Sequence, residues 1–210
     1  PSLSLRAKRF GVEIFRLLPA ALSLALLGLT FALAQTMTNQ AGGFGTWLLV
    51  FAAIYVLTSY LAVILTASAK WILVGRVRKS QHNLWTNFVW RNELVWNFVE
   101  MLAIPWTGAV AIDTPIQSHF FKLMGAKVGK NASIGTWFLD DPDLIDIGEN
   151  ATILKSADLQ THLFHDRIMQ LDSVVVAENS VIGTGSFLLP GSCVGKNSSV
   201  SAGSLVPRDE

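Results

Sequence analysis

Three hydrophobic patterns follow one another along the chain. The first is continuous. Residues 17–34 read LLPAALSLALLGLTFALA, and residues 46–69 read TWLLVFAAIYVLTSYLAVILTASA. Each run is close to the roughly 20 residues a helix needs to cross hydrocarbon. Neither holds a formal charge, which is costly at mid-bilayer. They predict a transmembrane helical hairpin within residues 1–80, with spans at about 17–36 and 46–69. Pro19 sits near enough to the first helix's start to be tolerated. A cleaved leader fits poorly, because a second apolar span follows at once.

The second pattern is helical. In LWTNFVWRNELVWNFVEML, residues 84–102, a helix places Thr86, Glu93, Asn97 and Glu100 on one side and Leu84, Phe88, Val95, Val99 and Leu102 on another. Trp85, Trp90, Trp96 and Trp106 are amphipathic enough for the lipid headgroup zone. Residues 81–125 are therefore expected to be amphipathic connecting helices. They are expected to lie along the membrane surface, to pack on the domain that follows, or to do both. Pro105 and Pro115 interrupt the pattern before Gly125.

The third pattern repeats every six residues. From Val176 the chain reads VAENSV, IGTGSF, LLPGSC, VGKNSS and VSAGSL, each hexad opening on a branched apolar residue with Ser fifth. Earlier hexads open at Val128, Ile134, Ile147 and Ile153. This period is the mark of a parallel β-helix with hexapeptide repeats. Six residues make one flat side, three sides close a coil, the opening residue points inward, and the corner takes only a small residue. The fold class is thus mainly β: a left-handed parallel β-helix over residues 126–210, preceded by the membrane hairpin and an amphipathic helix.

Charge orients these parts. Arg6, Lys8, Arg9 and Arg16 precede the first span, and Lys70, Arg76, Arg78 and Lys79 follow the second, while the connector MTNQAGGFG is uncharged. By the positive-inside rule both ends of the hairpin, and the β-helix, face the cytoplasm of a multi-pass membrane protein. The net charge of +1 and the lack of a basic patch interleaved with aromatics on the coils argue against nucleic acid. Cys193, the single cysteine, has no intrachain partner and is expected to be buried in the stack. The opening residue is Pro1 rather than Met, which suggests a segment of a longer polypeptide.

Chemistry is expected where the beat breaks. The first break, TWFLDDPDLID, holds Asp140, Asp141, Asp143 and Asp146; the second, LQTHLFHDRIMQLDSV, holds His162, His165, Asp166 and Arg167. A neutral imidazole takes a proton at cytoplasmic pH, and a nearby carboxylate fixes its tautomer. His162, with His165 tuning it, is the candidate base; the alternative is a pair of surface loop histidines. Asp140 and Asp143 offer contacts to a cationic amine, although Asp143 and Asp146 equally suit turn capping. Arg167 suits either an ion pair with Asp166 or a substrate phosphate, and Asp166 counts with it as a substrate-side residue. His162 and His165 lack a third ligand at a metal-site spacing, so no metal is expected.

The runs WILVGRV, WTNFVWRNELV, FFKLMGAKVG, LQTHLFHDRIMQL and SLVPRDE resemble the membrane-bound C-terminal region of ε-poly-L-lysine synthetase and related single-module nonribosomal peptide synthetases. The resemblance implies adenylation and carrier domains in the same polypeptide, and tandem or homotrimeric neighbouring β-helix domains beside a lipid bilayer. It implies transfer of an aminoacyl thioester from a carrier's phosphopantetheine arm to an acceptor amine. By position it gives His162 the family's THLF histidine and Asp158 an upstream acidic partner. Two other readings stay open: an O-acetyltransferase drawing on acetyl-CoA to modify a glycan, and a non-catalytic scaffold.

Overall fold

The computed structural model describes residues 3–38 and 43–208, with only the backbone at Ala109. Part of the uncharged connector, and the acidic residue after SLVPR, fall outside the described residues. The chain divides into two compact units, Pro1–Leu73 with Trp90–Gly108, and Val74–Val89 with Ala109–Glu210.

The first unit is helical: α1 (Leu3–Phe15), α2 (Leu18–Thr38), α3 (Phe44–Leu73), most of α4 (Asn87–Phe98), a π-helical turn at Val99–Ala103 and the start of α5 (Ile104–Ala111). The wide turn precedes Pro105, whose ring and missing N–H disrupt the regular i−4 pattern. Leu26 and Ala62 pack with Leu94, Phe98, Leu102 and Trp106. Thr30 and Thr58 hydroxyls meet at 3.1 Å between α2 and α3. Two helical stretches, Leu3–Thr38 and Phe44–Leu73, are long and apolar enough to cross a membrane. The tryptophans are not all interfacial. Trp90 and Trp106 are buried, and Trp106 Nε1–H donates to Ser23 Oγ at 3.0 Å while its ring stacks on Tyr55. Burial in a helical core satisfies the same amphipathic ring that a headgroup zone would.

The second unit winds three parallel sheets, each visited once per turn. The first side holds β2 (Lys127–Val128), β4 (Ile145–Ile147), β9 (Val174–Val176) and β12 (Cys193–Val194). The second holds β3 (Ser133–Ile134), β5 (Thr152–Ile153), β10 (Val181–Ile182) and β13 (Ser199–Val200). On the third are β6 (Asp158–Leu159), β11 (Phe187–Leu188) and β14 (Leu205–Val206), with Leu139 bridging to Leu159.

The inward residues are register partners: Val128, Ile147, Val176 and Val194; Ile134, Ile153, Ile182 and Val200; and Leu188 with Leu139, Leu159 and Val206, which complete the third column. Apart from Val128 and the last-turn members Val200 and Val206, these columns are fully buried. Ser180, Ser186 and Ser192 fill buried corners. At one corner Asn131, Asn150, Asn179 and Asn197, all with left-handed φ, link side chain to side chain at 3.1–3.2 Å. Adjacent coils also touch through backbone: a Cβ on Gly148 would lie 2.4 Å from Glu178 N. Helix α6 (Pro115–Met124), stopped by left-handed Gly125, packs Phe120 and Phe121 on Trp137 beside the first coil.

Two expectations need correction. The chain as a whole is about half helix rather than mainly β. Cys193 is exposed, because it precedes the inward Val194 and strand side chains alternate.

Candidate active site

The second break leaves the coil as an antiparallel hairpin. Strand β7 (His162–His165) pairs with β8 (Ile168–Leu171), and β8 pairs on its other edge with β1 (Ser80–Asn83). Asp166 (φ 47°) and Arg167 (φ 63°) form the two-residue tip. Positive φ at both positions is the tight hairpin turn whose twist matches its strands. Met169 and Leu171 anchor the sheet by packing with Val77, Val89 and Leu144. The sequence SQHN gave no period-two apolar signal, so β1 was not foreseen.

At the root of this hairpin His162 meets the first break. Its Nδ1 lies 2.7 Å from Asp141 Oδ2; the His side chain is 19% exposed and the Asp side chain 2%. A carboxylate only accepts, so Nδ1 carries the hydrogen and the neutral ring's lone pair is on Nε2. Thr161 Oγ1 lies 2.7 Å from the Asp140 carbonyl and 3.0 Å from Asp141 Oδ2, sharing one hydrogen between them. Asp141 holds φ 39° immediately before Pro142, a left-handed conformation that Asp tolerates better than most residues. Phe164 sets its ring edge-on to His162 at 5.3 Å.

Burial opposes charge on His162, yet the hydrogen bond and charge of Asp141, with Asp140 and Asp158 behind, raise its pKa above the ordinary value. Burial also pushes the Asp140 carboxyl up to about 7, against the pull of His162 and with help from Asp141 and Asp158. Asp158 is raised by burial too, against a hydrogen bond from Gln160 and the charge of His162. Its Oδ1 is buried without a hydrogen-bond partner among the described residues. The arrangement is a His–Asp pair, competent to take up and return a proton, in an acidic surround.

No family model matches the chain. It is 29% identical over its full length to delta-poly-L-ornithine synthetase of Acinetobacter baumannii (strain AB307-0294), of which it spans 16%. It is 26% identical over 56% of its length to YvoF of Bacillus subtilis (strain 168), a protein with an acetyltransferase name, covering 68% of that protein. The likeness is to synthetase-like hexapeptide acyltransferases. The chain thus spans about a sixth of the synthetase it matches. Serine acetyltransferase isoform 3 of Entamoeba histolytica, in complex with cysteine, aligns with 88% of this chain and 71% of its own at 13% identity; its TM-score of 0.19 carries no weight.

Against this synthetase-like background the anticipated residues separate. His162, Asp140 and Asp158 share one electrostatic neighbourhood. His165 and Asp166 do not join it: they pair with each other at 3.3 Å at the exposed tip, 77% and 84% accessible. Asp166 and Arg167 are turn formers, and the expected Arg167–Asp166 pair is replaced by His165–Asp166. Asp143 Oδ2 accepts the Val77 N–H at 2.9 Å, a backbone-capping role. Asp146 meets Lys127 at 3.4 Å. The Gly183 and Gly185 N–H groups donate to Val200 O and Lys155 O of neighbouring coils, so they are already committed and do not serve as oxyanion donors. Asp141, the direct partner of His162, and Thr161 were not singled out. The signal available was the pre-proline Asp in DDPD, a residue able to turn the chain. Among the described residues no group of three or more His, Cys, Asp and Glu is arranged to hold a metal.

Proposed function

We propose that this chain is a membrane-anchored acyltransferase domain of a peptide synthetase, with His162 as general base in forming an amide from an acceptor amine and a carrier-bound aminoacyl thioester. The observation that carries the reading is the 2.7 Å His162–Asp141 pair where the coil is interrupted. The full-length similarity to a synthetase named for a polymer of a basic amino acid supports it. The phosphopantetheine thioester supplies the acyl carbon and the sulfur leaving group. Exposed Leu163 and Phe164, next to His162, suit an arm that is partly apolar.

His162 Nε2 takes the proton that the attacking amine sheds as its nitrogen forms the new C–N bond. The imidazolium, held by Asp141, returns that proton to the departing sulfur as the C–S bond breaks. General-base assistance of this kind gives roughly two to four decades in rate. Asp140 and Asp158 favour a cationic acceptor beside His162. The coil is read as left-handed, the flanking basic clusters as cytoplasmic, and the adenylation, carrier and further β-helix domains as parts of the same assembly.

A second reading, acetyl transfer from acetyl-CoA to a glycan, is favoured by the likeness to YvoF. Full-length protein supplied with ATP and L-ornithine, or with acetyl-CoA and glycan acceptors, separates the two by product mass. Amide product that vanishes in His162→Ala, with carrier loading intact, is expected. Acetylated glycan as the only product would sink the first reading.

A further inference from the structure

Strand β7 ends its sheet: one edge pairs with β8, and the other has no strand partner among the described residues. The Asp172 N–H donates to Thr161 O at 2.8 Å across the hairpin root, so Thr161 faces β8. Hydrogen-bonding direction alternates along an antiparallel strand. Leu163 and His165 therefore also face β8, while the N–H and C=O of His162 and Phe164 point to the free edge. The middle of the strand is exposed, Leu163 to 41% and Phe164 to 53%. At the far end His165 engages Asp166, and the exposed Arg167 has no ion pair among the described residues.

We propose that the free edge of β7 is the docking track for the carrier's phosphopantetheine arm, with the phosphate at Arg167 and the sulfur at His162. This rests on the acyl-transfer reading above and adds how the donor is held. An open strand edge binds extended amide-bearing chains through main-chain hydrogen bonds, and the arm contains two amides. From His162 to His165 is three residue steps, roughly 10 Å at strand rise, and the two-residue tip and the reach of the Arg167 side chain add to that span toward the length of the arm. A cation at one end and a proton acceptor at the other give the track a direction.

The test is equilibrium binding of phosphopantetheine and of pantetheine, which lacks the phosphate, to the full-length protein with its own carrier unmodified. Intact protein is expected to prefer phosphopantetheine by about tenfold, as one charge-assisted contact allows. Arg167→Gly, compatible with the positive φ of the tip, should remove that preference. Phe164→Pro deletes an outward N–H, which a free edge tolerates, and should weaken both probes by about tenfold relative to Phe164→Ala. Leu163→Pro deletes a ladder hydrogen bond and should lower the melting temperature where Phe164→Pro does not. Equal binding of both probes by intact protein overturns the proposal. So does a preference that survives Arg167→Gly, equal binding by Phe164→Pro and Phe164→Ala, or equal destabilisation by the two proline variants. Intact binding without thioester turnover would sink the catalytic reading alone.

Discussion

Replacing Asp141 with Asn isolates the charge behind His162. Asn keeps an acceptor of the same size for the Nδ1–H, so geometry survives while the carboxylate is lost. A hydrogen bond to a charged group contributes about 1.5–3 kcal/mol. If the bond acts when the imidazolium forms, amide formation slows by roughly 10- to 150-fold. The pH profile moves as well. The base must be neutral, so kcat/KM of the native protein falls on acidification with an inflection above 6.5, the ordinary histidine value. In Asp141→Asn, burial is opposed only by Asp140 and Asp158, and the inflection shifts to lower pH. The assay is initial rate of amide product against pH for both full-length proteins, with carrier loading measured separately. An inflection that stays in place would refute the coupling of Asp141 to the base.

Two further outcomes follow from the same geometry. Asp140, with a folded pKa near 7 against 3.8 unperturbed, holds its proton more tightly when folded, so its contribution to stability is present at low pH and lost as pH rises through about 7. Asp140→Asn should therefore stabilise the protein by an amount that grows above about pH 4 and levels off beyond about pH 7; thermal melts at pH 5 and pH 8 with equal gains would contradict this. Gly148→Ala puts a methyl 2.4 Å from Glu178 N and 2.7 Å from Ala177 C, both backbone atoms of the next coil. Overpacking of this kind costs about 1–3 kcal/mol, so the melting temperature should fall by several degrees, and an unchanged melt would show that the coils yield.

The parts legible from sequence were those with a period. The hexad beat identified nine of the twelve inward column residues, because the opening position of each hexad is the one that must stack, and left Leu139, Leu159 and Val206 unnamed. Interruption of the beat located the His162 hairpin and the Asp140–Asp146 segment, since a repetitive wall can hold a special site only where it departs from repetition. Contacts between the two breaks were not legible. Asp141 and His162 lie 21 residues apart, and four aspartates in one segment gave no basis for choosing the one whose backbone turns left-handed. Tip residues misled for a related reason. His165, Asp166 and Arg167 adjoin His162 in sequence, but a strand carries them about 3.4 Å per residue away from the coil. Amphipathic Trp90 and Trp106 carried no sign of whether lipid or protein would cover them.

Single-turnover quench of full-length protein, loaded with labelled aminoacyl thioester and given acceptor amine, tests the role of His162 most directly. Native protein should convert thioester to amide, while His162→Ala should keep its label on the carrier, slowed by roughly two decades or more. Amide formed by His162→Ala at the native rate would contradict the account.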